Sequence, residues 1–522
     1  MTKYLLSRIL RSILSIVIVV AIVMVLVYQV LPQKKVYEKD ETYKKMSNND
    51  RTAYKYKVLE DNGYLDYVPY ADYLAMLLKQ GEIDQETYDA AVTFGKKASD
   101  DTAIVAEYVA KFTEYYEDRG YEVVRLDAKA QNIQGWRPKL YAYRDIPLLT
   151  RLWNYITNLI HVDSVRYVDE DIDIGERKLT FTLHDPAYGG EKFSPAIMGN
   201  GTQHKYLLYF DSQFPYIHQN LIKIRLGTSQ NVSKGIDVFD TMTKSQGGFV
   251  FSDVLYPSGN IERSANNIHS ATYVEGSLAG GIELIQRNFI DDYTGVENYK
   301  SGLSKMGYSF IIGLISVVAA YLLAVPLGIM MARRKDGLLD KLGTIYIIFV
   351  IAVPSLAYIF LFRSIGGKLG LPTIFSTESF KWTMYILPIV SLALPSIAGL
   401  MKWLRRYMID QMNSDYVKFA RSGGLSEGEI FRKHILKNAI IPIVHGIPGS
   451  VLGALVGAII TERVYTVPGT GQLLTEAISA IDNSVIVGVT LFYAILSVTS
   501  IILGDILISL VDPRISFTSK KR

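Results

Sequence analysis

Residues 12–32, SILSIVIVVAIVMVLVYQVLP, run for 21 positions without a charged side chain. At about 1.5 Å per residue such a run matches the roughly 30 Å hydrocarbon core of a bilayer. A chain carrying it folds across a membrane. Five more apolar runs, at 306–332, 342–362, 382–401, 438–461 and 484–504, predict six transmembrane helices in all. Lys3, Arg8 and Arg11 precede the first run as in a signal sequence. The run is longer than a signal core and lacks an A-x-A cleavage site, so it reads as an uncleaved anchor. Pro326, Pro354, Pro388, Pro395, Pro442 and Pro448 interrupt the runs. Lipid tolerates such prolines only where neighbouring helices or water satisfy the freed carbonyls, which points to helices packed around a pathway.

Basic residues orient the spans. Residues 1–11, 333–341, 402–437 and the tail hold 19 Lys and Arg, against 4 in 363–381 and 462–483. The richer set predicts cytoplasmic N- and C-termini in a multi-pass plasma-membrane protein, with residues 33–305 extracellular. That outer segment has 32 basic and 39 acidic residues, a balance of −7, and is long enough to be a domain. The chain thus divides into 1–32, 33–305 and 306–522.

Within the insert, DDTAIVAEYVAKFTEYYEDRG spaces its apolar residues as a helix, with Asp100 and Asp101 as cap candidates and Gly120 as the stop. Residues 146–160, IPLLTRLWNYITNLI, predict a second helix. Short alternating segments follow, SVRYV, KLTFTL and KYLLYF, so the insert reads as an α+β domain. It holds 25 of the 36 tyrosines. These suit either a binding surface or, residue by residue, the ordinary core of a domain. The absence of cysteine excludes disulfides, thiolate metal sites and thiol nucleophiles, and the 7 histidines are scattered. The acidic stretch DEDID at 169–173 lacks the glycine and distal glutamate of an EF-hand loop, so a solvated turn is the simpler reading than a calcium site.

The stretch GGLSEGEIFRKHILK, in the polar segment 402–437, stands between two apolar runs. Ser426 followed by Glu429 is a capping box just after a helix-breaking Gly-Gly pair, predicting a helix from Glu427. Glu427 and Glu429 in its first turn, with Arg432, Lys433, His434 and Lys437 near its end, complement the helix dipole. Ile430, Phe431, His434 and Ile435 share one face. On these residues alone three uses stay open: lying on lipid headgroups, filling a groove in a partner, or ordering a long loop.

The run YVKFARSGGLSEGEIFRKHILK resembles the cytoplasmic coupling loop of ABC importer permeases, whose general form is E-A-A, three residues, Gly, nine residues and I-x-L-P. Ala420 matches the last alanine and Gly424 the glycine, while the generic isoleucine and proline are absent. That departure is similar to the peptide and nickel branch, with its ARxxGLS (Ala420, Arg421, Gly424, Leu425, Ser426) and RHxLxNA (Lys433, His434, Leu436, Asn438, Ala439). PLGIMMARRKDGLLDKL, ERVYTVPGTGQLLTEAI with Glu462, Pro468, Gly469 and Gly471, and the closing DPRI extend the likeness to most of residues 1–32 and 300–515. The large insert resembles the extended form found in Gram-positive oligopeptide permeases. The resemblance implies a six-span type I ABC importer permease with an inserted α+β extracytoplasmic domain. Its implied partners are a second homologous permease, two ATPase subunits, an external solute-binding lipoprotein and the bilayer. Oligopeptides are the implied cargo, with nickel, opines or sugars as alternatives on the same scaffold. It further implies that Ile430, Phe431 and His434 contact an ATPase, with Arg432 and Lys433 at the rim. No nucleic acid is implied. No G-K-[ST] is present, so there is no P-loop, and ATP with Mg falls to the partner subunits, with no cofactor on this chain.

Rival classes fit less well. Ion-coupled transporters bury carboxylates at mid-membrane, whereas here His445 is the one ionisable side chain expected well inside a span, with Glu462 and Asp505 at span ends. His445 and Ser450 suggest an intramembrane serine protease, but both lie on one proline-containing segment and G-x-S-G is missing. Ser450 reads instead as a small packing residue beside Gly449, Gly453 and Gly457. A membrane-anchored receptor needs one or two spans, not six.

Overall fold

The computed structural model describes residues 2–94, 102–127, 137–163, 178–185, 190–210, 217–273, 288–289, 293–377 and 381–511. The first apolar run forms the helix Thr2–Val25, widens into a turn over Leu26–Val30, and stops at Leu31, whose extended backbone is what a following proline demands. Helices Lys305–Arg333, Trp382–Met412, Ile447–Tyr465 and Asn483–Val511 are likewise long and apolar enough to cross a membrane. The expected span at 342–362 differs. It is a pair, Leu338–Ala352 and Ser355–Lys368, bent by 108°. Val353 is extended and Pro354 cannot donate to the preceding turn, so the helix ends there.

The fifth span also starts later than the sequence suggests, at Ile447 rather than 438. Pro442, Gly446 and Pro448 set off a short helix, Ile441–His445, from the span proper. His445 therefore sits before the span and not inside it. Lys305–Arg333 packs against both Trp382–Met412 and Ile447–Tyr465. Glycines let it approach closely: a methyl on Gly313 would lie 3.1 Å from Leu455, and one on Gly328 3.2 Å from Leu404. Gly457 lies close to Leu392, 3.3 Å from where its methyl would sit, but methyls on Gly449 and Gly453 would meet nothing within 4 Å among the described residues.

Residues between the first two spans form helices and sheets. Leu65–Pro69, Lys139–Asp145 and Glu122–Leu126 make an antiparallel sheet with Lys139–Asp145 central. These strands lie in the half that reads as helical, because each is only five to seven residues long. Helix Ala103–Glu117 is capped by Thr102, whose hydroxyl accepts from the Val105 amide. Asp100 and Asp101 lie outside the described residues, as do SVRYV, DEDID and DPRI. Gly120 follows the helix at φ +75°. The second expected helix spans Leu148–Thr157. Four antiparallel strands follow in order, Leu179–Thr182, Ala196–Gly199, Tyr206–Phe210 and Ile217–Gln219. Tyr64, Tyr70, Tyr73, Tyr116, Tyr141, Tyr206, Tyr209 and Tyr256 are buried. Tyr70 and Tyr73 stand edge-on to Phe112 at 5.6 and 5.4 Å. Much of the tyrosine excess is core.

Candidate functional site

At the end of the bundle away from the inserted domain, helix Asp415–Ser422 stops in a tight turn. The Leu425 amide donates back to the Ala420 carbonyl at 3.3 Å and the Gly424 amide to Arg421 at 3.1 Å. This double closure needs a left-handed residue, and Gly424 supplies it at φ +83°. The next helical segment opens with the expected capping box. The Glu429 amide donates to the Ser426 hydroxyl at 3.3 Å, and the Ser426 amide to the Glu429 carboxylate at 3.4 Å. One α turn, Glu427–Glu429, passes into a wider one, Ile430–Leu436, and back to Lys437–Ala439. Arg421 grips Glu427 through two bonds of 2.5 and 3.1 Å, pinning the two helices across the break. This bond holds the Glu427 carboxyl below and the Arg421 guanidinium above their usual ranges. The Ser426 hydroxyl, then Lys433, lowers Glu429.

Ile430 and Ile435 point inward. They are 0% and 3% exposed, packed on Ala332, Leu404, Met408 and Val417. Ile430 is thus an anchor within this chain, which corrects its placement on the expected contact face; an amphipathic stripe names a buried side without naming its neighbour. Phe431, His434 and Leu436 are half-buried, with the Arg333 guanidinium 5.8 Å from the Phe431 ring. What projects is Phe419, 81% exposed, with Leu425, Arg421, Glu427, Arg432 and Lys433. Phe419 escaped the sequence reading because it precedes the capped helix; its signal is a large aromatic out of phase with buried Val417 and Ala420. Ile430→Ala should cost about 2–5 kcal/mol through the cavity it leaves. Thermal unfolding in detergent checks this, with Phe419→Ala expected to leave the midpoint unchanged.

Beneath this knuckle, buried Asp340 receives Arg405 Nε and Nη2 at 2.5 and 2.7 Å and the Asp336 amide at 2.9 Å. The pair ties the first turn of the Leu338–Ala352 helix to the long Trp382–Met412 helix. Nothing in the local pattern announces it, since the partners lie 65 positions apart.

At the opposite end, the chain leaves the fifth span through Thr466, left-handed at φ +54°, and enters helix Thr470–Ala480 after Pro468 and Gly469. Glu462 is 0% exposed. Its carboxylate accepts from the Ser309 hydroxyl at 2.6 Å and from the Gly471 and Gln472 amides at 2.8 and 3.0 Å, at the start of that helix. A methyl on Gly469 would fall 2.3 Å from the Glu462 carboxyl carbon, and one on Gly471 2.5 Å from Ile459 Cα. The inserted domain rests on the same end. Asp482 is 0% exposed and accepts from the Ser229 hydroxyl and the Gln230, Asn231 and Val232 amides at 2.7–3.1 Å. Asn483 donates to the Tyr64 hydroxyl at 3.0 Å, and Lys39 donates to the Ser479 carbonyl.

His445 and Ser450 form no dyad. His445 Nε2 lies 3.8 Å from Asp505, which Arg8 meets at 2.5 Å, while the Ser450 hydroxyl meets Tyr321 at 3.0 Å and the Gly446 carbonyl at 3.0 Å.

Residues 324–517 match the family model described as binding-protein-dependent transport system inner membrane component. The oligopeptide transport system permease protein AmiC of Streptococcus pneumoniae is 36% identical over 523 residues, covering 100% of this chain and 99% of that protein. The chain belongs to the oligopeptide-permease family of ABC importers. This permease shares its insert with AmiC, since the match runs end to end. The dipeptide transport system permease protein DppB of Lactococcus lactis is 32% identical but covers only 40% of this chain and 69% of its own length. DppB of Bacillus subtilis, 29% identical, covers 41% and 68%. Family membership makes the chain a polytopic helical membrane protein with an inserted domain, a transport permease and not an enzyme.

Proposed function

We propose that this permease imports oligopeptides as one of two dissimilar membrane subunits. Two ATPases grip the knuckle on the cytoplasmic side, and a binding lipoprotein delivers peptide from outside. Both termini are then cytoplasmic and residues 33–305 extracellular. ATP and Mg act on the partner subunits, and this chain carries no cofactor. The observation that carries the reading is the knuckle's division of labour. Its buried isoleucines fix it to the spans, while Phe419, Leu425 and the Arg421–Glu427 pair project from the bundle. A subunit that clamps those groups moves the spans with it as a rigid body. The peptide cargo is supported by the names of the relatives.

Gly424→Asp and Phe419→Asp test the coupling. Both positions are solvent-facing, so each variant should reach the membrane at normal abundance. Gly424→Asp strains the left-handed turn by about 1–2 kcal/mol, and Phe419→Asp removes the projecting ring. Each should abolish both capture of the ATPase subunits by the tagged permease and ATP-driven uptake of labelled peptides. Normal capture by both variants would refute the knuckle as the coupling element.

A further inference from the structure

Helix Leu148–Thr157 belongs by sequence to the extracytoplasmic insert, yet it packs against the first membrane span. Leu148, Leu152 and Tyr155 join the cluster holding Val20 and Met24, and the helix touches the Thr2–Val25 helix directly. Even Val25 stands about 10 Å inside the outer end of the 12–32 run, at 1.5 Å per residue. The face turned away from the span is apolar and open. Leu149 and Trp153, one turn apart, are 78% and 67% exposed. Beside the helix, Ile160 and Val162 pair across two strands with Ile224 and Ile222, and all four are exposed. Arg151 does not interrupt this face, because it donates to the Tyr64 carbonyl and lies 4.7 Å from the Tyr28 ring. Thr150, Asn154 and Thr157 form a separate polar, exposed edge.

We infer that helix Leu148–Thr157 is embedded in the outer leaflet, with Leu149 and Trp153 inserted among lipid acyl chains and its polar edge among the headgroups. Depth commits the face to lipid. A helix packed on a span at that level continues the span's own lipid-facing surface, and an aromatic beside a polar edge suits the interface. The inserted domain is then seated on the membrane at a second place besides its attachment to the outer turn. This goes beyond the transport reading and rests only on the membrane placement of the first span.

The chain has no cysteine, so single cysteines can be introduced without background. Spin labels at Leu149→Cys and Trp153→Cys, in the full chain reconstituted into phospholipid vesicles, report access to apolar O2 and to a water-soluble nickel chelate. Ile18→Cys on the exposed side of the first span is the lipid reference, and Glu114→Cys, on an exposed helix face of the insert, the aqueous one. The O2-to-nickel ratio should invert relative to position 114 and match position 18 at both test sites. Nickel-dominated access would overturn the inference by placing the face in water. Low access to both reagents would overturn it by showing the face covered by protein. Capture of ATPase subunits is unaffected by either outcome, so the two readings fail independently.

Discussion

Glu462→Ala is expected to lower the stability of the assembled bundle by about 3–9 kcal/mol, the sum of leaving three buried donors unpaired at roughly 1–3 kcal/mol each. Three groups lose their acceptor together: the Ser309 hydroxyl and the Gly471 and Gln472 amides. The carboxylate joins the second span, the fifth span and helix Thr470–Ala480, so its loss should loosen all three. Glu462→Gln keeps one carbonyl acceptor of nearly the same shape and should cost clearly less. Gly471→Ala should resemble Glu462→Ala, since its methyl would press on Ile459 backbone rather than on a movable side-chain tip. Unfolding midpoints of the purified variants in detergent decide the matter. Equal midpoints for Glu462→Ala and the unaltered chain would remove the turn between Glu462 and Gly471 from the elements that hold the bundle together.

Asp482→Ala is the second large effect, and it should act on the inserted domain rather than on the spans. Four donors from residues 229–232 converge on one carboxylate oxygen. At the same cost per orphaned group the local attachment weakens by about 4–12 kcal/mol. Hydrogen exchange should rise over residues 226–243 while the Lys305–Arg333 and Asn483–Val511 helices stay protected. Unchanged exchange in 226–243 would show that the apolar contacts of Leu226, Val238 and Met242 suffice without the carboxylate.

The knuckle was legible to the extent that it is local. The capping box and Gly424 involve partners within five positions, and the sequence pattern contains them all. Whether Ile430 faces a partner or its own spans depends on Leu404 and Met408, far away in the chain, and periodicity carries no such information. Glu462 and its glycines stood out as a turn motif, but the reason for the glycines is a carboxylate folded back over seven to nine residues, which only the closed turn displays. The grip of Asp482 on residues 229–232 crosses some 250 positions and left no trace in either segment alone. The broken third segment marks the reverse case. Pro354 was plain in the sequence, and the counted apolar length concealed what it does.

That elbow has a further consequence. Leu338–Ala352 and Ser355–Lys368 measure about 22 and 21 Å at 1.5 Å per residue, so neither arm alone reaches across the hydrocarbon. Because residue 354 has no amide hydrogen, the Val350 carbonyl is denied its usual donor at the bend. Oil offers no substitute, so the crook of the elbow must be turned toward protein or a wet cavity; Val350 and Val353 accordingly pack on buried residues of this chain's other spans, and the smooth outer flanks of the arms are left for the annular lipids.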